Sequence, residues 1–134
     1  MGERPDDIRL GVPEIDVEHE LQIQLVHAVR AALEAGDPDA AQAAVGRLDD
    51  VTNAHFLAEQ LLMRLYGYPG YAAHVQEHDR LVEELRNLSR QWNEAAQAAS
   101  VAQRLELWLR AHIATADEAF ASFLKQARAA PPSR

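Results

Sequence analysis

In the stretch HFLAEQLLMRLYGYPGYAAHVQEH, from His55 to His78, a histidine and a glutamate stand four apart, a turn follows, and two histidines again stand four apart. Residues four apart on an α-helix lie about 40° apart around the axis and one turn apart along it. His55 with Glu59, and His74 with His78, therefore each share a face. That face is the apolar one. A single histidine in such a stripe is ordinarily a core residue with a hydrogen-bond partner, but several in one core call for another account.

Hairpin geometry tests the coincidence, because residues equally far from a turn lie at the same height in antiparallel helices. His19 stands 17 residues before Gly36 and His55 stands 17 after Pro38, which puts both about 25 Å from that turn. Glu59 lies seven residues before Tyr66 and His78 seven after Tyr71, so they match across the second turn. With a third turn near residue 96, His112 and Asp117 fall close to the height of His78. Asp117 is the awkward member, since five residues beyond His112 is about 140° on a regular helix; the apolar stripe is wide enough to hold both, with a local π-turn as the alternative.

Five imidazoles and two carboxylates buried at one level, with no Arg or Lys among them, need a compensating cation. The chain has no cysteine, so thiolate sites and disulfides are excluded and any metal is held by nitrogen and oxygen. Seven such ligands exceed what one tetrahedral zinc takes. Imidazole with carboxylate suits iron, manganese or a mixed dinuclear site.

The elements that must position these groups are helices. Gly and Pro number six each and mark the turns, and the rest is rich in strong helix formers. Residues 1 to about 16 read as an arm, with Asp16 as N-cap of a first helix ending near Ala35. A second helix runs from Pro38 to about Tyr66, with core positions Ala41, Val45, Leu48, Thr52, His55, Glu59, Leu62 and Tyr66. GYPG at 67–70 breaks it. A third carries Tyr71, His74, His78, Leu81, Leu85, Leu88 and Trp92 on one face and ends within 93–99. Ser100 with Gln103 reads as a capping box opening a fourth, whose stripe includes Leu105, Trp108, Leu109, His112, Ile113, Ala116, Phe120 and Leu124. The expected fold is all-α: an up-down-up-down antiparallel four-helix bundle over about 17–129, with an N-terminal arm and a frayed tail at 130–134, in one domain.

The 134 residues suffice for one hydrophobic core. The net charge of −8 and a pI near 5.1 oppose nucleic acid and anionic membrane as partners. Arg86 with Arg90, and Lys125 with Arg128, read as solvated helix surface. No apolar stretch approaches a membrane span and the N-terminus has no signal pattern, so a cytoplasmic protein is expected.

The segments GVPEIDVEH, HFLAEQLLM with YGYP after it, HVQEH and WLRAHIATAD, in this order and spacing, resemble the hemerythrin family, and specifically a bacteriohemerythrin or hemerythrin-like domain, over about residues 11–125. The resemblance implies a non-haem di-iron site. His74, His78 and His112 would complete one iron, His19 and His55 would hold the other, and Glu59, Asp117 and an oxo or hydroxo group would bridge them. All but one coordination position is then filled; the open one, in the family, lies on the two-histidine iron and takes dioxygen. Leu109, Phe56 and Ile113 are candidates for the lining of that pocket, with ordinary core packing as the competing reading of Phe56 and Ile113. His27 matches no ligand position and reads as helix-flank packing. Many relatives have Glu where Gln60 stands and an aromatic in the arm; neither departure is expected to touch the seven ligands.

Three functions compete. Reversible dioxygen binding, for carriage, storage, delivery or sensing, suits a histidine-rich site. A di-iron enzyme acting on peroxide or nitric oxide, or a ferroxidase, would use the same open position, but oxygen-activating bundles use Glu-x-x-His pairs, and here Glu77 and His78 are adjacent. The third is an iron or redox sensor signalling to a fused or partner domain. Oxygen binding is the expectation, without catalysis.

Overall fold

The computed structural model describes residues 8–90 and 95–129. Helices α1 (Pro13–Glu34), α2 (Pro38–Tyr66), α3 (Tyr71–Ser89) and α4 (Ala95–His112) are followed by a π-helical turn (Ile113–Asp117) and α5 (Glu118–Ala129), which continues the fourth rod. No strand occurs among the described residues. Helix α1 packs on α2 and α4, and α3 packs on the same two, closing a four-helix bundle.

Two helix starts differ from expectation. Helix α1 begins at Pro13, whose fixed φ suits a first turn and whose missing N–H costs nothing there. Asp16 lies inside that turn, and its carboxylate reaches back to accept the N–H groups of Leu10 and Gly11 at 2.7 and 3.1 Å. The arm is thus shorter than predicted and is tied to the helix by the residue assigned as its cap. Helix α4 begins at Ala95, so Ser100 and Gln103 are exposed positions within it and form no capping box at its start. The alanine-rich run before Ser100 favours helix, and nothing in it breaks one. Trp92 lies outside the described residues.

The other ends follow from local chemistry. Asp37 caps α2 by accepting the Ala40 N–H at 3.1 Å. At its far end Gly67 takes φ +68°, and the Gly67 and Tyr68 N–H groups close on the carbonyls of Arg64 and Met63. That left-handed cap strongly favours glycine.

Two apolar clusters fill the bundle. One, built on all four helices, includes Val26, Val29, Leu48, Leu81, Leu85, Leu88, Leu105 and Leu109. The other joins Val12 and Ile15 to Met63, Phe120, Ala121 and Leu124. Leu62, Tyr66, Tyr71, Trp108 and Ala116, expected in the core, are half-buried. Between the clusters, by position along every helix, lie the buried histidines and acids. Lys125 and Arg128 are more than solvated surface: Lys125 donates to the Leu10 carbonyl at 2.8 Å, fastening the arm to α5, and Arg128 donates to Glu14 at 2.7 Å, tying the first turn of α1 to the same helix.

Candidate metal centre

The apolar stripes carry seven polar residues inward. His19 comes from α1, His55 and Glu59 from α2, His74 and His78 from α3, His112 from the end of α4, and Asp117 from the π-turn; all are buried. The π-turn resolves the angular problem of Asp117. The N–H of Glu118 donates to the Ile113 carbonyl five residues back, and this wider turn returns Asp117 to the face of His112, with 3.1 Å between His112 Nε2 and Asp117 Oδ1.

Each carboxylate divides its two oxygens between two sets of imidazoles. Glu59 Oε1 lies 3.0 Å from Nε2 of His74 and 3.0 Å from Nε2 of His78, while Oε2 faces Nε2 of His55 at 3.7 Å. Asp117 Oδ1 lies 2.7 Å from Nε2 of His74, and Oδ2 lies 2.9 Å from Nε2 of His19. Two groups of donor atoms result, each with all members within 4.8 Å of one another. His74, His78 and His112 form one with both carboxylates, and His19 and His55 form the other with the same two.

These donors fit a cation better than they fit each other. Nε2 of all five histidines, both Glu59 oxygens and Asp117 Oδ1 are buried without a hydrogen-bond partner, despite their short separations. Atoms crowded at such distances off hydrogen-bonding angles are aimed at common points between them, and orphans at this density are not found in an ordinary core. The cluster is able to bind metal.

Electrostatics agree. For the polypeptide alone, burial opposes ionisation of Asp117 and Glu59, but the imidazoles around them prevail and hold both carboxyls below their ordinary value, Asp117 well below it. Burial also lowers His74, yet the adjoining Asp117 and Glu59 carboxylates outweigh it and raise His74 to about 9. His78 is lowered, burial and the neighbouring His74 and His112 exceeding the pull of Glu59. Without a cation, protons balance the two acids, so metal uptake is proton release.

The outer nitrogens are held by residues the sequence reading missed. His55 Nδ1 is 2.5 Å from Glu18 Oε1, and His112 Nδ1 is 2.7 Å from Glu77 Oε1. Glu18 precedes His19 and Glu77 precedes His78, so each acid neighbours one histidine in sequence and orients another across the bundle. The repeated Glu-His pair was the available signal. Gln60 Oε1 accepts from His78 Nδ1 at 3.0 Å, so this departure from many relatives does touch one of the seven. Such contacts fix the tautomer and turn Nε2 inward. Ring stacking adds to the alignment: Phe56 lies 3.6 Å from His78 with planes 3° apart, and Trp108 lies 4.9 Å from His112 with planes 9° apart.

Beyond the histidines, toward the 35–38 turn, Val26, Leu48, Thr52, Leu81, Leu85, Leu105 and Leu109 meet around a packing gap too small to hold a water molecule. Leu109 lines it; Phe56 stacks on His78, and Ile113 is buried in the larger apolar cluster. His27 sits half-exposed on the flank, 3.0 Å from Glu106, and belongs to neither donor group.

The sequence carries the same signature at family level, for the hemerythrin HHE cation binding domain matches residues 10–124. The chain belongs to the hemerythrin family. It is similar to the bacteriohemerythrin of Stenotrophomonas maltophilia, 26% identical over 121 residues that cover 90% of this chain and 79% of the relative. It is similar to that of Aquifex aeolicus, 26% identical over 126 residues covering 90% and 96%. Hemerythrin subunit 2 of Golfingia vulgaris is 39% identical over 66 residues, 49% of each chain. A solved hemerythrin carrying a leucine-to-tyrosine change shares the fold, with a TM-score of 0.78 at 23% identity over 92% of this chain and 96% of that one. As in any member of a cation-binding family, the donor cluster is the chemically distinctive part of this bundle. No helix among the described residues is long and apolar enough to cross a membrane.

Proposed function

We propose that this hemerythrin-family chain binds dioxygen reversibly at a non-haem di-iron centre. His74, His78 and His112 would hold one iron, His19 and His55 the other, and Glu59 and Asp117 would be shared by both, with an oxo or hydroxo group completing the centre. One observation carries the reading: each carboxylate points one oxygen at the three-histidine set and the other at the two-histidine set. A single-ion site has no use for that division. When bound, the iron pair would lend electrons to a dioxygen ligand and recover them when the gas leaves.

The polypeptide's contribution is geometric and dielectric. Glu18, Gln60 and Glu77 keep three imidazoles oriented. The uneven histidine count leaves the His19 and His55 side one donor short, and the aliphatic wall of Leu48, Leu81, Leu105 and Leu109 excludes bulk water from the neighbourhood. Neutral nitrogen donors in majority favour the reduced ions over irreversible oxidation.

The test combines elemental analysis with optical spectra of the reduced, iron-loaded protein before air, in air, and after the gas is removed. Two irons per chain and a charge-transfer band that comes and goes with the gas are expected. Irreversible bleaching with turnover of peroxide or nitric oxide would replace binding by an enzymatic or sensing role, and one iron per chain would overturn the bridged pair.

A further inference from the structure

The layer immediately beyond the histidines differs between the two halves of the bundle. On α3 and α4 it is apolar, with Leu81 three residues after His78 and Leu109 three before His112. On α1 and α2 it is polar. Gln22 stands three residues after His19 and Thr52 three before His55. One helical turn therefore separates this pair from the two-histidine set.

Both side chains are fully buried. Gln22 Nε2 donates to Thr52 Oγ1 at 3.0 Å, and Thr52 is the one polar residue among the seven described residues around the packing gap. The pair does not satisfy itself. Gln22 Oε1 has no hydrogen-bond partner, and the Thr52 hydroxyl, accepting from Gln22, keeps its proton for another acceptor. Two aliphatic residues of the same shape would pack the layer without that cost, as Leu81 and Leu109 do opposite.

We infer that Gln22 and Thr52 form a hydrogen-bonding subsite for a compact polar ligand on the two-histidine side of the centre. Thr52 donates to an acceptor atom of the ligand, Gln22 holds the hydroxyl in that orientation, and Gln22 Oε1 accepts from a ligand that carries a proton. The pair thus sets specificity, favouring small anions and protonated ligands over an apolar gas of the same size. This rests on the two-iron reading above.

The experiment is an optical titration of the oxidised, iron-loaded chain with azide, after elemental analysis, for the parent, Thr52→Val and Gln22→Leu. Thr52→Val removes the hydroxyl at nearly constant shape. Each variant is expected to retain two irons and to weaken azide binding about tenfold or more, the range for a hydrogen bond to a charged group. The double variant should be little worse than either single one, since the residues act as a unit. Azide affinity within about twofold of the parent in both variants would overturn the subsite. Loss of iron in either would also overturn it, making the pair a support for the ligands. A parent chain with fewer than two irons would defeat the underlying reading, and the elemental analysis tells that failure apart.

Discussion

The two apolar ends of the bundle do different work. Below the polar layer, toward the 66–71 turn, Phe120, Met63 and Leu124 are fully buried. Tyr68 meets the rings of Phe120 and Phe123 at 5.1 and 5.0 Å, the arm is fastened over this end through Asp16 and Lys125, and Arg128 ties the first turn of α1 beside it. Above it, the larger cluster is mostly Leu, Val and Ala, and the packing gap lies there. Aromatic rings and a strapped arm make a floor, whereas aliphatic side chains around a small packing gap make a wall.

The largest expected effect is at the layer between them. Glu59→Ala removes the acid that faces three imidazoles, and elemental analysis should find the iron content fall from two per chain to one or none; retention of both would contradict its bridging role. Next come the two ends themselves. Leu124→Ala in the closed floor should cost about 3–5 kcal/mol in urea unfolding, and Leu105→Ala in the looser wall about 2–3 kcal/mol, because the same truncation beside an existing packing gap loses fewer contacts and relaxes further. Equal costs would remove the distinction between floor and wall.

How much of this was legible in sequence follows from the same contrast. Histidines and acids on apolar stripes are anomalies, so the seven central residues and the bundle that levels them stood out. Glu18 and Glu77 did not, because their side chains are 38% and 43% exposed and read as ordinary surface acids; only the fold shows that each reaches a histidine on the neighbouring helix. Gln22 was hidden for the opposite reason. It is a polar residue on the buried face of α1 beside exposed Glu20 and Gln24, and a run of acid and amide side chains conceals which one points inward. The start of α4 was misplaced because Ser100 and Gln103 satisfy a capping pattern, and short-range patterns yield to a continuous helix when the preceding residues are helix formers.

A smaller effect tests the seam along the wall's outer edge. Glu106 on α4 accepts from Arg30, contacts His27 on α1, and pairs with Arg110. Burial raises its carboxyl, but His27, Arg30 and Arg110 together prevail and lower it to about 2. A carboxyl depressed on folding contributes stability above its unfolded value, near 4.5, and loses it as pH falls toward 2. Glu106→Gln should therefore cost about 1–3 kcal/mol at neutral pH, with the difference from the parent shrinking steadily below pH 4.5. Metal-free protein must be used for both, since acid also strips the central ligands. A difference that stays constant down to pH 2.5 would assign the loss to packing and not to charge.

The smallest effect belongs to the strap over the floor. The Arg128–Glu14 pair spans 2.7 Å, with side chains 39% and 49% exposed, and the guanidinium lies 6.0 Å from the centre of the Tyr66 ring. Exposed pairs contribute no more than about 1 kcal/mol and are screened by salt, so Arg128→Gln should lower the unfolding midpoint slightly, and less at 1 M salt. Lys125→Met should cost more despite the same charge change, because Lys125 also satisfies the Leu10 carbonyl where the chain turns at Gly11, φ +86°. That carbonyl has water as its alternative partner, which keeps the difference small. If the arm only decorates the surface, the two substitutions will be indistinguishable; if it seals the floor, Lys125→Met will also speed exchange of the Gly11 and Leu10 amide hydrogens that Asp16 holds, while amides along the wall helices keep their rates.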